Sequence, residues 1–435
     1  MTTMHARWWR IGGSLMAGLF VAYLDRTNLS VAIPSVARDL GFAGAKFAET
    51  SSWALTIFLI GYAVANILGG IFTRRLDPKI VVIWTFALWS VATVAVGMTS
   101  SLMVLLVCRL ILGAAEGIYW PQQSRFAKAW FAPDELTRAN SIIQYYGQFL
   151  ALAFGFMALT PIYQAFGWRI LFFLTGGLGL VVIVPLYAAI LRPETEAPYC
   201  AQQTDAVQPR LTLQALGGPP FLLLVFGYIT QGMLFWGITL WIPLAVRSIG
   251  FSGTSQAVAS CLPYVAAVVF AVPMAIISDR TKKRVLIAAL GLLIPGVLLL
   301  LLPQVGSGYG KLALITVALG YYASSYTPNI WSILQATVEP SAVGSASGIM
   351  NGLGAGGGGT IAGFLVGMLN AATGSYMSGF MVLGGLVVLG GISLLIYGRL
   401  KMRQLAVDPG MARGLEPPPA DANCRPVMIR RRSGP

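Results

Sequence analysis

Four ionisable residues stand inside otherwise apolar runs: Asp25 and Arg26 in one run, Arg109 and Glu116 in another. At the centre of a bilayer-spanning helix each costs about 2.5–3.5 kcal/mol on insertion scales, so four uncompensated groups would cost about 10–14 kcal/mol. They must face one another or a water-filled cavity. Arg109 and Glu116 are seven residues apart, which on a helix puts them on one face about 10 Å apart. Asp25 and Arg26 are adjacent, so their side chains diverge by about 100° and serve different neighbours. With both carboxylates ionised the four charges cancel, and protonating one leaves a site that attracts an anion. A bound anion in turn favours the neutral form of a nearby carboxyl. Proton and anion therefore assist each other's binding, which is the thermodynamic basis of symport. A network that served only to tie two helices together could be replaced by packed apolar side chains at little cost.

Other chemistries are poorly supplied. His5 is the single histidine and lies ahead of the first apolar run, so no metal centre or Ser-His triad is expected within the spans, and no catalytic residues or cofactor. Cys108, Cys200, Cys261 and Cys424 are scattered without a Cys-x-x-Cys spacing. Polar residues that could line a binding cavity are Gln144 and Gln148, four apart on one helical face. Weaker candidates are Tyr228, Gln231, Trp236 and Thr239 in a later run, and Ser325, Asn329 and Ser332 in another. Polar groups within a span also serve as interhelical glue.

The elements that position these residues follow from composition. Of 435 residues, 56% are hydrophobic and 10% charged, too few charges to build a water-facing surface. Apolar runs of bilayer length predict an all-α polytopic membrane protein with twelve transmembrane helices in two six-helix bundles. The first six are expected near 11–34, 49–72, 79–98, 101–123, 139–160 and 169–191. The second six are expected near 220–246, 254–278, 284–303, 310–335, 343–369 and 376–398. Residues 1–191 and 220–398 are the two bundles. The proline- and charge-rich stretch 192–219 is a cytoplasmic linker, and 399–435 is a disordered tail. No cleavable leader is expected ahead of the first span. With both termini cytoplasmic, inside loops hold 22 of the 29 Lys and Arg, and outside loops hold five. That bias sets the orientation. The net charge of +14 is spread over these loops rather than gathered in one stripe, which argues against nucleic-acid binding.

A turn recurs. Gly69-Gly-Ile-Phe-Thr73-Arg74-Arg75 lies between spans 2 and 3, and Ala275-Ile-Ile-Ser-Asp279-Arg280 lies between spans 8 and 9, some 206 residues later. Duplicated halves with a midplane site between them are a transporter architecture. The chain resembles the major facilitator superfamily, whose loop motif is Gly-x-x-x-Asp-Arg followed by basic residues. The first copy keeps Gly69 and Arg74 with Thr73 in place of the acid. The second keeps Asp279 and Arg280 with Ala275 in place of the glycine.

The resemblance narrows to the anion–cation symporter branch. It rests on Tyr23-Leu-Asp-Arg-Thr-Asn-Leu29, on Arg109-Leu-Ile-Leu-Gly113-Ala-Ala-Glu116-Gly117 with Pro121, Arg125 and Trp130-Phe131, and on Ser141-Ile142 with Gly147-Gln148. Gly167-Trp168-Arg169 and Gly348-Ile-Met-Asn351-Gly complete the set. It implies a secondary active transporter that imports a small organic anion, a sugar acid or other carboxylate, with protons by alternating access. On that resemblance Arg26 contacts the substrate carboxylate, Arg109 organises the cavity, and Asp25 and Glu116 carry protons. Gln148 bonds substrate hydroxyls, and Tyr23 and Trp331 line the cavity. The implied setting is the bacterial inner membrane, with lipid around a monomer. A proton-independent uniporter or exchanger, or a transport-dead sensor of the same fold, is the alternative. Where the branch commonly has an asparagine this chain has Ala355, in a span with glycines at 344, 348, 352, 354 and 356–359. Such a stripe serves tight packing or a gating hinge.

Overall fold

The structure, a computed structural model, describes residues 7–73, 76–131, 139, 141–198, 212–214, 216–338 and 343–407. The described residues hold helices and no strand. We number the membrane-crossing helices α1 to α12. The first six are α1 (Gly13–Asp39, entered through a π turn Trp8–Gly12), α2 (Phe47–Phe72), α3 (Pro78–Met98), α4 (Leu102–Trp130), α5 and α6. The helical stretch Gly147–Leu178 holds both α5 and the start of α6, because Gly167 at φ 80, ψ 172 interrupts it. That left-handed geometry is open to glycine at no steric cost. α5 is preceded by a π segment, Ser141–Tyr146, and α6 ends through Gly179–Ile183 and Val184–Ile190.

The second six are α7 (Pro219–Ser248), α8 (Gly253–Thr281), α9 (Arg284–Leu300), α10 (Gly308–Ser325 and Thr327–Gln335), α11 and α12 (Tyr376–Val407). α11 is built of Val343–Asn351, a π segment Gly352–Gly358, and Gly359–Thr373. Among the described residues, nine helical stretches are long and apolar enough to cross a membrane, and one of them, Ile142–Ile190, covers both α5 and α6. α1 and α10 fall short on composition or length because α1 carries the polar run Asp25-Arg-Thr-Asn28 and α10 breaks at Tyr326. α12 continues nine residues past its expected end at 398, so the start of the expected tail is helical. Arg399 and Lys401 sit in this extension. The rest of the tail and most of the 192–219 linker lie outside the described residues.

Local signals set the ends. The Asp77 side chain accepts from the Lys79 N–H with Pro78 at the first helical position of α3, a strong start. Ser252 and Ser255 form a capping box on α8. Gly374 closes α11 in the left-handed region at φ 71.

The outer surface is apolar: Trp84, Met98 and Val181 are each more than 70% exposed, as lipid-facing side chains are. Polar residues go inward instead. α1 is buried almost throughout Ser14–Ala37, and so is α7. α1–α6 pack chiefly on one another, as do α7–α12. The halves meet where α1 crosses α7, α2 lies along α11, and α5 lies along α8. Close approach of α2 and α11 depends on missing side chains: a Cβ at Gly356 would come 2.7 Å from the Ala63 Cα, and one at Gly352 would press on Ile67. The face on which α1 begins and α12 ends is called here the terminal face.

Candidate functional site

Asp25, Arg26, Arg109 and Glu116 are 0–2% exposed and gather between α1 and α4. Arg26 Nε donates to Glu116 Oε2 in a buried ion pair. Arg109 Nη1 donates to the Asp25 backbone carbonyl at 3.5 Å, and its guanidinium lies 4.6 Å over the Phe58 ring. Adjacent positions on α1 diverge as helix geometry requires. Asp25 points into the first half, among Trp89 of α3, Arg109 of α4 and Thr175 of α6. Arg26 points to the junction of the halves.

At that junction the Arg26 guanidinium is enclosed by rings: Tyr23 at 4.4 Å, Tyr62 at 5.1 Å and Trp236 at 5.4 Å. Trp236, from α7, stacks on Tyr23 of α1 at 6.4 Å and meets Phe58 of α2 edge-on. Aromatic faces stabilise a desolvated cation by about 2 kcal/mol. The charge that could hold an anion is therefore held between the two halves, neutralised by Glu116. Glu116 Oε1 and Arg109 Nε and Nη2 have no hydrogen-bond partner, and the Asp25 carboxylate has Thr175 and Trp89 as its polar side-chain neighbours beside Arg109. Buried polar groups without partners are costly, so this cluster carries unused bonding capacity.

The wall from the second half is neutral. Asn351 Nδ2 donates to the Tyr62 hydroxyl at 3.0 Å, and the Tyr228 hydroxyl donates to Asn351 Oδ1 at 3.4 Å. These bonds link α2, α11 and α7 beside Arg26. Gln231 donates to the Tyr322 hydroxyl, leaving its own Oε1, with Ser325 Oγ and Tyr326 Oη, unpartnered. Trp331 packs edge-on against Tyr228 at 5.5 Å, placing it at the rim of this wall.

Other expected residues stand further out. Gln144 and Gln148 are half-buried on the π segment and first turn of α5. Between them Tyr145 donates to the Ala267 carbonyl at 2.7 Å, joining α5 to α8. The Asn329 amide is committed elsewhere: its Oδ1 accepts from Ser278 at 2.6 Å and its Nδ2 donates to the Ser325 carbonyl at 2.8 Å. It ties α8 to α10 and does not join the Arg26 cluster. Gly69 lets α2 approach Ile118 of α4, and Arg280 is exposed at the end of α8. Arg74 and the side chain of Asp279 lie outside the described residues. At Thr73, Gln122 donates to the hydroxyl at 2.6 Å, and Arg125 bonds the Thr73 and Leu76 carbonyls and the Glu194 carboxylate. An arginine next to the missing acid is thus neutralised by a carboxylate that follows α6.

Tyr62 went unnoticed in sequence because one tyrosine in an apolar span has no periodic signature. Its spacing of four from Phe58 could have flagged it, since both flank a guanidinium. Asn351 was visible only as part of a motif string. Among the described residues no group of three or more His, Cys, Asp or Glu could hold a metal ion.

Residues 15–363 and 246–422 match the family model of the Major Facilitator Superfamily. The chain is 28% identical over 405 residues to a probable sulfoacetate transporter of Cupriavidus necator, covering 88% of this chain and 91% of that one. It is 26% identical to a hexuronate transporter of Bacillus subtilis, covering 88% and 93%. It is 23% identical to a D-galactonate transporter of Escherichia coli, covering 88% and 93%. Among solved structures, a bacterial homolog of the human lysosomal transporter Spinster, inward-facing and unoccupied, superposes with a TM-score of 0.64. It has 16% identity over 90% of this chain and 95% of that one, a likeness of fold. A helical membrane chain, with paired charges buried where its two halves meet and a family match spanning most of its length, is a transporter and not an enzyme: it belongs to the Major Facilitator Superfamily.

Proposed function

We propose that this protein imports a small organic anion together with protons by alternating access. The observation that carries the reading is Arg26, a guanidinium caged by rings of both halves and bound to Glu116, a carboxylate that an incoming anion would displace. The relatives named for sulfoacetate, a hexuronate and D-galactonate share an anionic head on a small body, which a guanidinium fork recognises.

The coupling is electrostatic. An anion that takes the Arg26 fork leaves Glu116 beside a second negative charge, and a like charge favours the neutral carboxyl. Anion and proton therefore stabilise each other in the site, and neither crosses efficiently alone. Asp25, fully buried next to Arg109, is the second proton carrier. Tyr23, Tyr62 and Trp236 exclude water around the head group. Gln148, Gln144 and Trp331 line the approach, and Gln231 and Tyr228 supply the neutral donors of the second half. Asn329 belongs to the α8–α10 contact. Residues 1–191 and 220–398 rock against each other about this site, joined by 192–219. Both termini, and so the terminal face, are cytoplasmic, in a monomer set in a bacterial inner membrane.

The test is uptake of labelled sulfoacetate, D-galactonate and a hexuronate into proteoliposomes, with and without an inward proton gradient, for wild type and Asp25→Asn. Accumulation that collapses on discharging the gradient and is absent in Asp25→Asn supports proton symport. Equilibration indifferent to the gradient makes the protein a uniporter or exchanger.

A further inference from the structure

Asp25 is fully buried, and its polar neighbours Trp89, Thr175, Arg109 and Glu116 all belong to the first half. Rocking the halves apart opens the junction at Arg26 and leaves Asp25 enclosed. A proton released from this cluster therefore needs a path within the first half itself.

A candidate path begins one turn along α4. Tyr119 follows Glu116 by three residues toward the terminal face, so the two share a side of the helix. Its hydroxyl lies 2.7 Å from that of Tyr187 on α6, and the two rings stack at 6.5 Å with 7° between planes. Tyr119 is 1% exposed and Tyr187 0%. α1 makes room with a glycine: a Cβ on Gly18 would overlap the Tyr187 hydroxyl. Trp89, which flanks Asp25, lies 5.1 Å from Tyr119 ring to ring. Tyr119 therefore neighbours Glu116 along its own helix and shares Trp89 as a neighbour with Asp25.

The polar atoms around the pair are unused. Glu116 Oε1 and Ser90 Oγ are buried without partners, and so are both amide atoms of Gln123, one turn beyond Tyr119. A cluster of aromatic rings held only for packing would be served as well by phenylalanine, with no hydroxyls to satisfy. Two buried hydroxyls bonded to each other therefore lie beside carboxyl and amide groups with bonding capacity to extend the pair.

We propose that Tyr119 and Tyr187 relay protons from the Asp25–Glu116 cluster to the terminal face, by a route separate from that of the anion, with Glu116 the group that hands the proton to Tyr119. The inference rests on the proton-coupled reading above. In the transfer the Tyr119 oxygen takes the carboxylic proton of Glu116 while its own proton moves along the hydrogen bond to Tyr187. The Tyr187 proton leaves to water on the terminal side. The carboxyl ends ionised, both tyrosines end neutral, and one proton has moved. The tyrosines are positioning and relay groups that do not touch the anion.

The experiment compares wild type, Tyr119→Phe and Tyr187→Phe in proteoliposomes with an entrapped pH dye, using labelled sulfoacetate and D-galactonate as probes. Two rates are read: net uptake with proton entry, and one-for-one exchange of labelled for unlabelled anion, which moves no net proton. Loss of a relay group slows the proton step by about tenfold or more. The expected result is that each variant slows net uptake and dye response together while exchange stays within about twofold of wild type. Net uptake at the wild-type rate in both variants overturns the relay. Equal loss of exchange and net uptake in both also overturns it, because the pair would then be structural. Wild-type uptake with no dye response instead refutes the proton-coupled reading itself, and the relay falls with it.

Discussion

Glu116→Gln separates the two roles of the buried ion pair. The Glu116 carboxylate neutralises Arg26 inside a cage of Tyr23, Tyr62 and Trp236. It also competes with any anion for the same guanidinium. At contact distance and an effective dielectric near 20, that competition is worth about 4 kcal/mol. Removing one partner of a buried pair costs about 3–5 kcal/mol, because the remaining charge is left uncompensated. The two magnitudes are close, so an added anion should recover most of what the substitution removes. The expected outcome is a free protein that melts lower than wild type and is restored by saturating anion. Affinity also rises: if a third of the Coulomb term survives relaxation, about 1.4 kcal/mol, binding tightens about tenfold. The binding also loses the part of its pH dependence that Glu116 carries, since that proton site is gone. The assay is equilibrium binding of labelled sulfoacetate and D-galactonate to the purified full-length protein at two pH values, with melts in parallel. Anion binding weaker than wild type, or gradient-driven accumulation at the wild-type level, would refute the reasoning.

Two further outcomes test neighbouring parts of the structure. Arg26→Lys keeps the charge and loses the planar fork, so anion affinity should fall by about 1.5–3 kcal/mol, roughly 10- to 150-fold. An unchanged dissociation constant would show that Arg26 acts only as a point charge or not at all. Gly356→Val places a branched side chain against the Ala63 backbone at the α2–α11 contact. Overpacking of this kind costs about 1–3 kcal/mol, so the melting temperature should drop and transport slow, and a melt matching wild type would mean that α2 and α11 have slack to separate.

Lipid as the solvent was written in the composition, because a chain with 10% charged residues cannot surround itself with water-facing groups. The twelve spans followed from apolar run length, and the divergence of Asp25 from Arg26 followed from helical pitch. Periodicity could equally state that Arg109 and Glu116 share a face of α4. It could not state with what they pair: Glu116 takes Arg26 from α1, and Arg109 turns to the Asp25 carbonyl and the Phe58 ring. Such choices are made between helices remote in sequence, where distance and orientation come from packing. For the same reason Asn329, polar and in a span, reads like a lining residue until its amide is seen bonded to Ser278 of α8. The Tyr62–Asn351 bond joins residues 289 apart, and no local pattern encodes it. The α11 glycines were legible as a small-residue stripe, but which helix each one meets is a tertiary fact: Gly352 and Gly356 face α2, and Gly354 and Gly358 face α7. Sequence determined the solvent, the spans and the charges that had to be buried. The tertiary structure alone decided how those charges pair, because a buried charge takes whichever partner the packing of other helices brings within reach.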